Sequence, residues 1–235
     1  MKKIKRNIII IGASSSIGHA VVKNFQKNGD KVIATFNKNK PKAKYSNVCY
    51  EKLDLSSKSS IKTFAKSNNK ELEKIDIIIF LPSLLPGKSL DDYDIDLIYE
   101  VIKINFASQA LLFKYLQKSL SKESSVLFMS SISSMRGSYD PIYAASKSAI
   151  NGFVKSLAKW GSPHSRVNAI APSLIKNSSM YFEMNPDRRD AHISESPKKT
   201  LISINDLADI ILELCDTKWS NLNGQIININ GGTYV

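Results

Sequence analysis

The chain reads as one α/β domain built on a parallel sheet of about seven strands with helices on both faces. Three observations predict this. Short apolar runs alternate with longer amphipathic segments throughout the 235 residues. The runs lack the polar alternation of a half-exposed strand, which suits a sheet covered on both sides. The first run feeds a small-residue turn that opens straight into a helical pattern. Strand–helix alternation of this kind implies a doubly wound, Rossmann-type arrangement.

Taken in order, the elements justify themselves by their apolar spacing. Asn7–Ile11 is an isoleucine run and predicts the first strand, and Ile17–Lys27 predicts the helix behind it. Strands follow at Lys31–Thr35 and Cys49–Leu53, a helix at Ser59–Asn68, and a strand at Ile75–Phe80. One long helix is expected over Asp94–Leu120, then a strand at Ser125–Ser130 and a helix at Ile142–Gly161. Arg166–Ala171, Asn205–Leu214 and Gln225–Ile229 complete the pattern as strand, helix and strand. No linker, low-complexity tract or repeat divides residues 1–235, so a single domain is expected. The one long irregular stretch is 173–204, with Met180, Tyr181, Phe182 and Met184 followed by Asp187, Arg188 and Arg189. A long loop inside a compact domain reads as a substrate lid.

Composition removes several classes. A hydrophobic fraction of 43% is enough for a sizeable core. Cys49 and Cys215 are too few and too far apart for a disulfide framework or a metal knuckle, so no metal site and a reducing, cytoplasmic setting are expected. The basic start, Met1–Asn7, precedes an apolar run of four residues that ends in Gly12, too short for a secretory core. No stretch approaches the ~20 apolar residues of a membrane span. The net charge of +12 comes from lysines scattered from Lys2 to Lys218, not from one stripe interleaved with aromatics, so nucleic acid is not the expected partner. The positive field favours an anionic ligand instead, such as a dinucleotide or an acidic carrier.

The chemistry-bearing residues come in groups. Gly12-Ala13-Ser14-Ser15-Ser16-Ile17-Gly18 joins the first strand to the first helix, where a tight turn lets the backbone approach a pyrophosphate at a helix N-terminus. Tyr143 and Lys147 are four apart, so a helix presents both on one face. A phenol beside an ammonium is an acid with a stabilised anion, and its pKa is expected to fall from about 10 toward neutrality. A serine at the end of the Val126–Met129 run, Ser131 or its neighbour Ser130, is placed to orient the oxygen that the phenol protonates.

These motifs, with Asn105 and the tail Asn230-Gly231-Gly232, resemble the short-chain dehydrogenases/reductases over essentially the whole chain. Ile75–Ile79 and Arg166–Pro172 look like the family's fourth and sixth strands, and Tyr143–Ala149 matches its active-site helix nearly residue for residue. The resemblance implies a catalytic set of Asn105, Ser131, Tyr143 and Lys147. Tyr143 would be the general acid in reduction and the base in oxidation. Lys147 would tune it and hold the nicotinamide ribose, and Asn105 would hold a water in a proton relay; a side chain satisfying a helix irregularity is the plainer reading of Asn105 and is compatible with the relay. The implied cofactor-binding residues are Gly12, Ser14, Ser15, Ser16, Ile17, Gly18, Asn37, Lys38, Asp54, Leu55, Leu81 and Pro82, with Tyr143, Lys147, Pro172, Ile175 and Asn177. Asp54 and Leu55 would border the adenine, with a helix N-cap as the other reading of Asp54.

Cofactor choice is read after the second strand. The carboxylate with which NAD enzymes of this fold hold the ribose is replaced by Phe36, then Asn37 and Lys38. NADP(H) is favoured, NAD(H) stays open, and Ser14, Ser15 and Lys38 are the candidates for a 2′-phosphate. The chain departs from the family at Ser16, at Phe80-Leu81-Pro82-Ser83 in place of Asn-Asn-Ala-Gly, at Ser173 and at Asn177. The expected substrate is a carbonyl or alcohol. A 3-oxoacyl thioester comes first, since the tail looks most like 3-oxoacyl-carrier-protein reductases. In that reading Lys118, Lys122, Arg136 and Arg188-Arg189 are candidate carrier contacts, beside the plainer reading of a solvated basic surface. The alternatives are a reductase of a sugar or other small polar metabolite, and a dinucleotide-binding regulator without turnover. The resemblance also implies a homotetramer or homodimer packed through Asp94–Leu120 and Ile142–Gly161.

Overall fold

The computed structural model describes residues 5–71, 74–161 and 164–235; the Met1–Ile4 part of the basic start lies outside the described residues. The elements run β1 (Asn7–Ile11), α1 (Ser16–Lys27), β2 (Lys31–Phe36), β3 (Val48–Lys52), α2 (Lys58–Glu71) and β4 (Ile75–Phe80). Next come α3 (Ile95–Ile102), α4 (Ser108–Leu116), β5 (Leu120–Met129), α5 (Ser133–Arg136), α6 (Pro141–Trp160) and β6 (Ser165–Pro172). Then β7 (Ile175–Lys176), α7 (Ser179–Glu183), α8 (Pro186–Glu195), β8 (Ile202–Ser203), α9 (Ile204–Leu214) and β9 (Ile226–Ile229) close the chain.

Seven strands form one sheet in the order β3-β2-β1-β4-β5-β6-β9, and every described pairing in it is parallel. The strand period of two explains why the runs are apolar throughout. Ile9 and Ile11 pack with Phe64, Leu112, Phe128, Ile150 and Val154 on one face, while Ile8 and Ile10 meet Val21, Val22, Phe25, Leu207 and Ile211 on the other. From β1 the chain winds outward to β3 and then returns to β4 on the other side of β1. The crevice at the carboxyl ends of β1 and β4 is therefore the switch point where ligands of this fold bind.

Two expectations are corrected. Asp94–Leu120 is not one helix. Lys103–Ala107 forms a π-turn between α3 and α4, and Leu120 already belongs to β5, paired with Ile75. The 173–204 stretch is not irregular either: it holds β7 and β8 as a two-stranded pair around α7 and α8. Local signals place these helices. Ser178 caps α7 by accepting from the Tyr181 N–H, and Asn185 caps α8 with Pro186 at its first position.

Candidate active site

The turn after β1 is built by close approach. Gly12 has φ +85°, and a Cβ there would sit 3.3 Å from the Pro82 ring. A Cβ on Gly18 would lie 2.5 Å from the Gly12 oxygen and 2.6 Å from Ala13 Cα, so α1 packs directly on the turn. Thr35 Oγ1 accepts from Gly12 N at 3.1 Å, which ties the turn to β2. Ser16 and Ile17 lie in the first turn of α1, at the positive end of the helix. Ser15 is the N-cap: its hydroxyl accepts from Gly18 N at 3.0 Å and donates to Gly12 O at 3.1 Å. In this arrangement the Ser15 hydroxyl serves the helix start. Ser14, Asn37 and Lys38 are exposed around the same rim.

The remaining dinucleotide candidates lie at or just beyond the carboxyl ends of β3, β4 and β6. Asp54 accepts from the N–H and the hydroxyl of Ser56 at 2.8 and 2.7 Å, and these bonds hold its carboxyl below the usual range. It is thus a turn residue ahead of α2. Leu55 and Leu81 are buried, as are Pro172 and Ile175, while Asn177 is exposed with φ +63°. A cavity of about 700 Å³ runs from Ser16 over the outer face of α1 to Asn177, and Lys23, Lys42 and Lys176 line it without a carboxylate among its walls.

The catalytic candidates converge at the ends of β4 and β5. Tyr143 is 5% exposed and Lys147 is fully buried on α6. Burial pushes the Tyr143 phenol up, and hydrogen bonds from Ser83 and Ser131 lower it only in part. The Lys147 Nζ donates to Met129 O at 2.8 Å and stands 5.8 Å from the Tyr143 ring centroid. Burial alone lowers the Lys147 pKa to about 7. The expected fall of the Tyr143 pKa toward neutrality is therefore overturned in this state: desolvation outweighs every stabiliser of the phenolate.

The two serines differ in their partners. Ser130 Oγ donates to Asn151 Oδ1 at 2.7 Å and faces the interior, whereas Ser131 is the serine on the phenol. Asn105, fully buried in the π-turn, uses its side chain structurally. Its Oδ1 accepts from Leu84 N at 2.7 Å, and its Nδ2 donates to Leu84 O and Ser146 Oγ, both at 2.9 Å. The side chain thus satisfies the helix irregularity, a reading compatible with the relay.

Three contributors were not anticipated. Phe80 stacks on Phe128 with centroids 4.5 Å apart, replacing with aromatic packing the polar brace that Asn would give. Ser83 supplies a second hydroxyl to Tyr143, and only its place after β4 hints at this. Asp140 caps α6, a role legible in Asp140-Pro141 as a cap followed by a first-turn proline. At the start of the catalytic helix, α8 is fastened to the segment before α6. Arg136 pairs with Glu195 at 2.8 Å, and Arg188 lies 3.7 Å from the Tyr139 ring centroid.

Comparison with known proteins agrees with this geometry. A family model described as enoyl-(acyl carrier protein) reductase matches residues 12–234. The 3-oxoacyl-(acyl-carrier-protein) reductase FabG of Buchnera aphidicola subsp. Acyrthosiphon pisum is 28% identical over 98% of this chain and 98% of its own. An uncharacterized oxidoreductase of Bacillus subtilis, YmfI, is 27% identical over 97% and 99%. Among solved structures, a short-chain dehydrogenase/reductase (glucose/ribitol dehydrogenase) from Brucella melitensis superposes with a TM-score of 0.89 at 24% identity, covering 98% of this chain and 97% of that one. ElxO with NADP bound superposes at 0.86 and 22%, covering 98% and 99%. The chain belongs to the short-chain dehydrogenase/reductase family and is an oxidoreductase of the class acting on CH–OH and C=O groups.

Proposed function

We propose that the protein is an NADP(H)-dependent reductase of carbonyl substrates, with 3-oxoacyl thioesters as the first substrate class. The carrying observation is the Tyr143 phenol, buried at the switch-point crevice between the Ser131 and Ser83 hydroxyls with Lys147 one turn on. A phenol kept protonated by burial is an acid ready to donate, which favours reduction at neutral pH. Ser131 orients the carbonyl oxygen and Tyr143 gives it the proton. Lys147, buried with its pKa lowered to about 7, would hold the ribose hydroxyls of the cofactor and tune the phenol electrostatically. When bound, the nicotinamide supplies the hydride.

The crevice fits such a cofactor. Gly12 and Gly18 leave backbone where any side chain would intrude. The rim beyond β2 offers Asn37 and Lys38 but no carboxylate, and the lysine-lined cavity beside α1 adds positive field. ElxO, which carries NADP, supports the phosphorylated form, and the FabG relatives support the thioester. The polar α8 with Arg188 and Arg189, and the glucose/ribitol dehydrogenase likeness, favour a small polar metabolite as the second reading. Exposed Ile95 and Tyr99 on α3 and Trp160 on α6 support a homodimer or homotetramer through these helices, and a reducing cytoplasmic setting suits the two free cysteines. The test is NADPH against NADH oxidation with acyl thioesters, ketoses and quinones, with Tyr143→Phe as control. Thioester turnover that prefers NADPH and is lost in the variant supports the reading. NADPH binding without turnover of any carbonyl sinks it in favour of a regulator.

A further inference from the structure

Asp140 is 1% exposed, and no cation pairs with it among the described residues. Its carboxylate instead gathers donors from two separate parts of the chain. Tyr143 N donates to Oδ1 at 2.8 Å, which caps the catalytic helix. Gly87 N and Lys88 N donate to Oδ2 at 2.9 and 3.3 Å, and the Tyr93 hydroxyl lies 2.7 and 2.8 Å from the two oxygens. Every partner is a donor, the pattern of an ionised carboxylate. Neutral donors satisfy its lone pairs without cancelling its charge, and burial leaves little water to screen it.

We propose that Asp140 is a positioning residue that ties the first turn of the catalytic helix to the 87–93 loop and places a fixed negative charge on the backbone of Tyr143 itself, where its field reaches the phenol. The proposal rests on Tyr143 being the proton donor. A helix cap needs only an acceptor, and Ser or Asn serves as well. A full charge buried at a helix start costs desolvation that a neutral cap avoids, so the charge itself has a consequence. Burial is the main cause that pushes the Tyr143 phenol up, and the Asp140 charge acts in the same direction, against the hydroxyls of Ser83 and Ser131. The same carboxylate, after burial, pushes the Tyr93 phenol up. The other charged group on the phenol is Lys147, 5.8 Å from its ring, while the Lys88 ammonium is turned away onto Asp92 O. The loop fixed by Asp140 is also pinned at Leu84 by Asn105, so both ends of the wall beside Tyr143 are held by buried side chains.

Asp140→Asn and Asp140→Ser both retain a cap and remove the charge, and Tyr93→Phe keeps the charge while removing one donor. The first readout is independent of catalysis: NMR of ring-labelled tyrosine, with the Tyr143 signal assigned through Tyr143→Phe and folding checked by circular dichroism. In both Asp140 variants the Tyr143 signal is expected to ionise at a pH lower by about half a unit or more. In Tyr93→Phe it does not move down. The second readout is the alkaline limb of NADPH-dependent carbonyl reduction, which moves down with the NMR titration in the same two variants. Tyr143 titration unchanged in folded Asn and Ser variants would overturn the proposal, as would an equal downward move in Tyr93→Phe. If no carbonyl is turned over by wild type, the functional reading fails, and the NMR titration still judges Asp140.

Discussion

Replacing Asn105 with alanine removes the side chain that holds the π-turn to the wall of the crevice. Two of its three hydrogen bonds, 2.7 and 2.9 Å long, satisfy the N–H and the carbonyl of Leu84, and the third, at 2.9 Å, reaches the buried Ser146 hydroxyl. Ser146 keeps its own bond to Tyr143 O at 2.7 Å, so the cost falls on Leu84. Two stranded backbone groups at about 1–3 kcal/mol each give a loss of about 2–6 kcal/mol. For a domain of this length, at about 2–4 °C per kcal/mol, that corresponds to a melting temperature lower by about 4–24 °C. Differential scanning calorimetry of wild type and Asn105→Ala reads this directly, and the KM for carbonyl is expected to rise as the 84–93 wall loosens. A melting temperature within about 2 °C of wild type would refute the reasoning, because Leu84 would then find its partners without Asn105.

Three further outcomes are expected. Gly18→Ala forces a Cβ to within 2.5 Å of the Gly12 oxygen. It should lose about 1–3 kcal/mol of stability and more than about tenfold in dinucleotide affinity, read by chemical denaturation and titration calorimetry. Ser131→Ala should lower kcat about a hundredfold with stability nearly unchanged, whereas Ser130→Ala, which strands Asn151 Oδ1, should act mainly on the unfolding midpoint. The Lys147 pKa is about 7 folded, against 10.5 as its ordinary value. The unfolded chain binds the extra proton between those values, so the burial penalty is full below pH 7 and fades as pH rises toward 10.5. Wild type should therefore gain stability relative to Lys147→Met between pH 7 and 10 in denaturation curves; a flat difference would contradict the burial of the ammonium.

What the sequence makes legible is what periodicity and close packing enforce. Ile8–Ile11 must be a doubly covered strand, and Gly12 and Gly18 must be glycines because backbone and the Pro82 ring occupy the space a Cβ would need. Tyr143 and Lys147 share a helix face, as their spacing demands. Less legible were effects that depend on tertiary neighbours. The π-turn at Lys103–Ala107 leaves the apolar spacing of Asp94–Leu120 intact, so the break is invisible until Asn105 is seen bonded to Leu84. The proton affinity of Tyr143 could not be read from its neighbour at i+4, because burial dominates it and hydrogen bonds from Ser83 and Ser131 offset it only in part. Ser15 looked available from its place in the turn, but its hydroxyl serves the helix start.

The fastening of α8 carries one more consequence. Arg136–Glu195 is a half-exposed ion pair, of a kind worth at most about 1 kcal/mol and weakened by salt. The +12 charge that draws an anion toward the crevice is screened by the same salt. Ionic strength therefore acts as two hands on one door: it loosens the latch while thinning the pull on whatever is charged outside. An uncharged carbonyl should enter faster as salt rises and an anionic one more slowly, so the buffer alone can invert the order in which two substrates are preferred.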